Sequence, residues 1–222
     1  SNGLTMYGGS SISDNGGTGI LQFNNADFVA NGAVSFNNMN FAGTIRNANL
    51  ENTTIQISGA GNKTMVSESV NTKGSVEISD INLETNNLSV DGTLNLSGNL
   101  TVKKVLDVQN GRTDNITVDN LIFGEGINTA GRYYFDLRKE NLKVTGKATG
   151  TVKLNFNYDG SLQDNMKIDV FKGTGDLTGL NIQPVRITDK TTKDTYLLTQ
   201  DTIEQGKMNV NVAKHNTAII FA

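Results

Sequence analysis

The 222-residue chain contains no Cys, no Trp, one Pro and one His. Without Cys there is no thiol nucleophile and no disulfide, and a single His cannot supply the clustered ligands that zinc requires. The lack of thiols suits a chain that must avoid premature disulfides on an export route. No run of about eighteen apolar residues occurs, so no membrane-spanning helix is expected. Signal-peptide character is also missing at the start, where Gly3-Leu-Thr-Met-Tyr7 begins in mid-pattern. The expectation is a piece of a longer chain. Apolar residues make up 36% and charged residues 18%. That is thin for a core, and with abundant Gly and Asn it could signal disorder. The apolar residues nevertheless alternate with polar ones over most of the length, which points to a thin-cored, turn-rich β protein.

Charge of either sign is sparse and unevenly placed. Residues 1–130 hold six Lys/Arg against twelve Asp/Glu, whereas residues 131–222 hold thirteen against ten. Neither part has the basic density of a nucleic-acid surface. Eight of the fourteen aromatics also fall after residue 130. The shift in composition near Gly124–Gly131 divides the chain into residues 1–130 and 131–222.

The first part repeats itself. Phe23-Asn-Asn-Ala-Asp-Phe28 and Phe36-Asn-Asn-Met-Asn-Phe41 are near copies. Looser forms run from Ile45 to Leu50, Leu50 to Ile55, Ile78 to Leu83 and Val118 to Phe123. Imperfect repetition of this kind marks stacked architectures. Leu88-Ser-Val90, Leu94-Asn-Leu96 and Leu100-Thr-Val102 each read apolar, polar, apolar, with Asp91-Gly-Thr93 and Ser97-Gly-Asn99 between them. Asp-Gly between alternating strands is a hairpin signal, but three-residue strands offer little cross-strand area. If each Gly or Asn corner instead turns the chain through part of a circle, three strands close one coil of about twenty residues. Successive coils then pair in parallel at about 4.8 Å. Asn suits the corners because it tolerates left-handed backbone, and stacked Asn side chains can form amide ladders. Residues 20–130 supply five or six such coils, with open ends that a solenoid must cap. Nothing in residues 1–20 resembles a cap.

After Gly131 strands lengthen, to Arg132–Leu137, Asn141–Val144, Thr151–Tyr158, Lys167–Phe171, Thr195–Leu198, Lys207–Val212 and Thr217–Phe221. Tyr158-Asp-Gly-Ser161 and Gly173-Thr-Gly-Asp176 read as hairpins or broad corners, and Pro184 fits an edge strand or a corner.

The run Gly131-Arg-Tyr-Tyr-Phe-Asp-Leu137, followed by Leu142-Lys-Val144, Gly146-Lys-Ala-Thr-Gly150, Thr151–Phe156 and Ile168-Asp-Val-Phe171, resembles the C-terminal passenger segment of autotransporters. The Phe-Asn-Asn phrases upstream are similar to those of vacuolating-cytotoxin-like members, and the whole resembles pertactin-like passengers as well. The resemblance implies a right-handed parallel β-helix (β-solenoid) of short strands, all-β, with a C-terminal section of longer strands and hairpins. It implies residues 1–130 as solenoid coils and residues 131–222 as an autochaperone-like capping section that folds first and templates the coils. It also implies an extracellular or cell-surface location in a Gram-negative bacterium. The full family pattern includes an outer-membrane β-barrel, which is not in this sequence.

No catalytic constellation stands out. His215 lacks a nucleophile elbow and reads as an exposed strand-end residue; neither Gly-x-Ser-x-Gly nor Gly-Asp-Ser-Gly occurs. Asp14-Asn-Gly-Gly-Thr-Gly19 has a superficial likeness to calcium turns, but one copy without the nonapeptide period reads as a plain turn. It has no Lys and no following helix, so it is no phosphate loop. Because some parallel β-helices cleave polysaccharides, carboxylates that could stack between coils matter: Asp107, Asp114 and Asp119, and Asp80 with Glu84. Their simpler reading is solvated surface charge. Asn52-Thr-Thr, Asn62-Lys-Thr and Asn115-Ile-Thr match the glycosylation pattern, as chance allows in an Asn- and Thr-rich chain.

The expected function is therefore non-enzymatic: adhesion or host interaction, or one part of a toxin, with the C-terminal section aiding folding. Catalytic, cofactor-binding and metal residues are expected to be none, and so are cofactors. Expected partners are a host-cell receptor, matrix or glycan, a second copy, and the chain's own outer-membrane barrel, with no nucleic acid. The alternative is a carbohydrate-active β-helix enzyme, a polysaccharide lyase or glycosidase. A pentapeptide-repeat DNA mimic, suggested by the spacing of Ile45, Leu50 and Ile55, ranks third because the spacing lapses and the charge is mild.

Overall fold

The computed structural model describes residues 3–17, 19–108, 115–126, 129–135, 142–156, 162–204 and 206–215. Among these there is no helix, and strands follow one another from end to end. The first six are β1 (Gly3–Met6), β2 (Ser10–Ser13), β3 (Gly19–Asn37), β4 (Met39–Ser58), β5 (Thr64–Val108) and β6 (Asn115–Phe123). Then come β7 (Gly131–Phe135), β8 (Leu142–Val144), β9 (Lys147–Phe156), β10 (Lys167–Lys172) and β11 (Asp176–Ile182), and last β12 (Val185–Thr188), β13 (Thr195–Gln200) and β14 (Lys207–Lys214). They stack as a parallel β-solenoid of about 6 turns.

Gly19 pairs in parallel with Met39, Val34 with Ile55 and Ala48 with Val70, so one coil takes 20 to 22 residues. Shifts of register at Asn24/Ala26 and Asn31/Gly32 break β3 into three sides. The hydrogen-bonded ladder persists around the corners, which is why strands expected to be three residues long merge into one of 45 residues in β5. Asp91-Gly-Thr93 is a corner of this kind and not a hairpin, since Thr93 pairs in parallel with Asn115.

The corners confirm the role of the repeated phrase. In four of its copies the third residue has left-handed backbone: Asn25 at φ 55°, Asn38 at 56°, Asn52 at 44° and Asp80 at 59°. Short polar side chains accept this conformation at low cost because they can bond locally. Asn also braces neighbouring coils. The Oδ1 of Asn38 accepts from Ala60 N at 2.9 Å, that of Asn52 from Ser75 N at 3.1 Å and that of Asn120 from Lys147 N at 2.8 Å. In each case a Gly precedes the donor (Gly59, Gly74, Gly146), and a Cβ there would collide with the Asn amide. Amide ladders form at Asn49–Asn71 (3.1 Å) and Asn99–Asn120 (2.9 Å).

Inside, the apolar members of each phrase form files along the axis, such as Val34, Ile55 and Ile78. Phe23, Phe28, Phe36 and Phe41 touch in sequence, with centroids 5.1–6.2 Å apart. A second aromatic cluster centres on fully buried Tyr133, 5.1 Å from Phe135 and 5.5 Å from Phe171. Burial drives the Tyr133 phenol far above its usual range, opposed by a hydrogen bond with the Leu142 backbone.

The parallel ladder runs across residue 131. β7 pairs with β5 and β9, β8 with β6 and β10, and β9 with β6 and β11. Antiparallel pairing begins where β14 takes the far edge of β10 and continues into β13 and β12. Gly173–Asp176 is a broad corner between β10 and β11, and Pro184 lies between β11 and β12. Strands β11 and β12 are additions to the sequence-based expectation. Tyr158–Ser161 and Thr217–Phe221 lie outside the described residues.

Candidate functional site

Of the carboxylates singled out in the sequence, Asp119 serves the coil stack. Asp119 is engaged through both oxygens: Oδ2 accepts from Gly98 N at 3.2 Å and Oδ1 from Thr145 Oγ1 at 2.7 Å. Asp80, exposed at a corner, donates its N–H to Ser97 Oγ at 3.0 Å. Ser97-Gly98 therefore lies between Asp80 and Asp119, which puts the two acids two coil spacings, or about 10 Å, apart. Glu84 is half-buried in β5, and half-buried Asp107 pairs in register with Tyr134. Asp114 lies outside the described residues. Among the described residues no group of three or more His, Asp or Glu is close enough to hold a metal ion.

His215 is exposed just past β14, and its N–H donates to Thr195 O at 2.7 Å. Asp14 closes its own turn, with Oδ1 accepting from Gly16 N at 3.1 Å, while its carbonyl accepts from Asn38 Nδ2 at 3.1 Å. The atom of Asn62 that a glycan would take, Nδ2, donates to Phe41 O at 3.1 Å. Asn52 braces a corner as described, and the Asn115 side chain lies outside the description.

The ion pairs between described residues such as Arg46–Asp27 and Lys167–Asp201 lie at the surface. Arg46 grips Asp27 with two bonds of 2.9 and 2.7 Å, and this holds the Asp27 carboxyl below its usual value. Lys167 does the same to Asp201 across 2.9 Å. Asp176 is lowered chiefly by the hydroxyl and N–H of Thr178.

The feature that sequence reasoning missed is a trough of about 480 Å3 on one side of the solenoid. It forms on the side that ends each time in the same corner. Tyr7, Asn31, Glu51, Lys73 and Asp91 each precede a Gly or Asn there, and all five are exposed. Registers Asn31–Glu51–Lys73 and Val29–Asn49–Asn71 make two outward files. Between them run the backbones of Ala30, Leu50 and Thr72, whose side chains turn inward and are buried. Two outward files over a backbone floor make a channel parallel to the axis, crossing successive coils at about 4.8 Å each. The corner holds its register because Gly92 stacks so closely on Gly74 that a Cβ would strike the Gly74 carbonyl; Gly32 likewise approaches Gly8. The signal for the trough was present as a recurring residue-then-Gly/Asn pair, but its members share no chemistry.

Among the described residues no helix is long and apolar enough to cross a membrane. Comparison of the chain with family models, with curated proteins and with solved structures finds no match to any of them.

Proposed function

We propose that this chain is a binding scaffold: part of the surface-exposed or secreted passenger of an autotransporter, acting in adhesion or host contact, or as one arm of a toxin, and not by catalysis. The observation that supports it most is the set of outward side-chain files held at coil spacing by a ladder whose backbone groups already bond to each other. A rigid array of this kind binds through the sum of many weak contacts and loses little conformational entropy in doing so. The autotransporter element rests on the resemblance at residues 131–171. In that reading residues 131–222 aid folding of the coils during export, and the partner is a receptor, matrix component or glycan of the host, or a second copy.

The experiment is display of the chain ahead of an outer-membrane β-barrel, followed by adhesion of the displaying cells to host cells and to immobilised matrix. Adhesion above that of barrel-only cells is the expected outcome. The same chain, purified, is incubated with a panel of polysaccharides and assayed for new reducing or unsaturated ends. Depolymerisation by the wild type that Asp119→Asn abolishes would replace the scaffold reading with a lyase or glycosidase.

A further inference from the structure

We propose that the trough over the second side of the early coils, the one holding Val29–Asn31 in β3, binds an extended, uncharged oligosaccharide lying along the solenoid axis. This rests on the scaffold reading only in that the sugar is held and not cleaved.

The wall chemistry suits hydroxyls. Asn71 Nδ2 donates to Asn49 Oδ1 at 3.1 Å, which leaves Asn49 Nδ2 as a donor and Asn71 Oδ1 as an acceptor with no partner among the described residues. Opposite them, Glu51, Lys73 and Asp91 are exposed, and none is ion-paired among the described residues. A sugar's vicinal hydroxyls both donate and accept, and side-chain amides with carboxylates answer both roles. At the end of the trough Tyr7 is 67% exposed. An aromatic face with a polar tip is a platform for the C–H face of a pyranose.

Spacing and charge narrow the ligand. Each coil presents one residue per file at about 4.8 Å, close to the advance per sugar of an extended glycan, so contacts recur in step along the chain. From Tyr7 to Asp91 the trough crosses five coils, a length of about 20 Å. Two carboxylates against one ammonium make it net negative, which disfavours sulfated glycans, uronates and nucleic acid. A peptide is disfavoured for another reason: the floor backbone at Ala30 and Leu50 is already paired on both sides, so a strand has no free edge to join there.

The test is titration of the 222-residue chain with neutral pentasaccharides of β-linked glucose, β-linked N-acetylglucosamine and mannose, with a heparin pentasaccharide as the anionic counterpart. Binding is followed by calorimetry and by amide NMR shifts. At least one neutral sugar should bind, with shifts clustered at residues 29–31, 49–51 and 71–73, and heparin should not. Tyr7→Ala and Asn71→Ala should each weaken binding about tenfold, equivalent to about 1.4 kcal/mol, while Asn95→Ala, exposed on another side, should leave it unchanged. Wild-type shifts locate the site even if a variant folds poorly. No binding of any neutral sugar, tighter binding of heparin, or shifts clustered on another side would each overturn the proposal. Binding at the trough accompanied by release of shorter sugars would keep the site and remove the scaffold reading.

Discussion

Asn38 joins three coils, and its replacement separates what an Asn corner contributes by shape from what it contributes by bonding. Its backbone sits at φ 56°; its Nδ2 donates to Asp14 O in the coil before and its Oδ1 accepts from Ala60 N in the coil after. In Asn38→Gly the conformation is kept and both bonds vanish. Each is worth about 0.5–1.5 kcal/mol net, toward the low end because Ala60 is exposed to water. Glycine's extra unfolded-state freedom costs up to about 1 kcal/mol more, so about 1–3 kcal/mol is lost. In Asn38→Ala the bonds also vanish, and a Cβ without local bonding occupies left-handed space at about 1–2 kcal/mol; the loss is about 2–4 kcal/mol. Asn25 is the control, with φ 55° and no side-chain bond among the described residues. Asn25→Ala should cost about 1–2 kcal/mol and Asn25→Gly less than either Asn38 variant. For a chain of this length about 2–4 °C of Tm accompanies each kcal/mol, so Asn38→Ala should melt about 10 °C below wild type by far-ultraviolet circular dichroism. If Asn38→Gly is as stable as wild type, or Asn25→Ala costs as much as Asn38→Ala, the inter-coil bonds contribute nothing and the reasoning fails.

Thr72 is 4% exposed and its Oγ1 has no partner among the described residues, so Thr72→Val should stabilise by about 1–3 kcal/mol; a lower denaturant midpoint would contradict this. Tyr133→Ala, which opens a hole among Phe123, Phe135 and Phe171, should cost about 3–5 kcal/mol, and Tyr133→Phe about 1 kcal/mol through its lost bond to Leu142, both read from denaturant midpoints. Asp27, Asp176 and Asp201 all have lowered pKa values in the folded chain, so their stabilisation is present above the ordinary carboxylate value and lost as pH falls through the folded values. Tm should be flat between about pH 5 and 7 and decline below about pH 4, and Asp27→Asn with Asp201→Asn should flatten the decline. Residues 131–222 alone should give a cooperative melt by circular dichroism and residues 1–130 alone should not; a stable, cooperative N-terminal half would remove the templating role.

The fold was legible because each coil repeats two constraints that leave marks in the residues. Period-two alternation in Leu88-Ser-Val90 and its neighbours named the inward file, and the Asn-Asn phrases named the corners. Strand length was not legible, because hydrogen bonds carry on through corners at Gly92 and Gly98, where the side-chain pattern pauses. Strand β11 was missed because Thr178-Gly-Leu180 interrupts the alternation, and the parallel bed of β9 holds it extended. The trough was missed for a different reason. Its walls come from positions about twenty residues apart whose identities differ, so no local window contains it.

That difference follows from how the corner works. The residue with positive φ, Gly32, Asn52, Gly74 or Gly92, sets the turn and the register, and few side chains are tolerated there. The residue before it points outward and is exposed, so its identity has little effect on the stack. Asn31, Glu51, Lys73 and Asp91 therefore share a place and not a chemistry. A solenoid built in this way separates the residues that must be kept for folding from those free to vary, one per coil and at a constant spacing. The register that makes the solenoid possible is also what aligns these unlike side chains into one continuous wall.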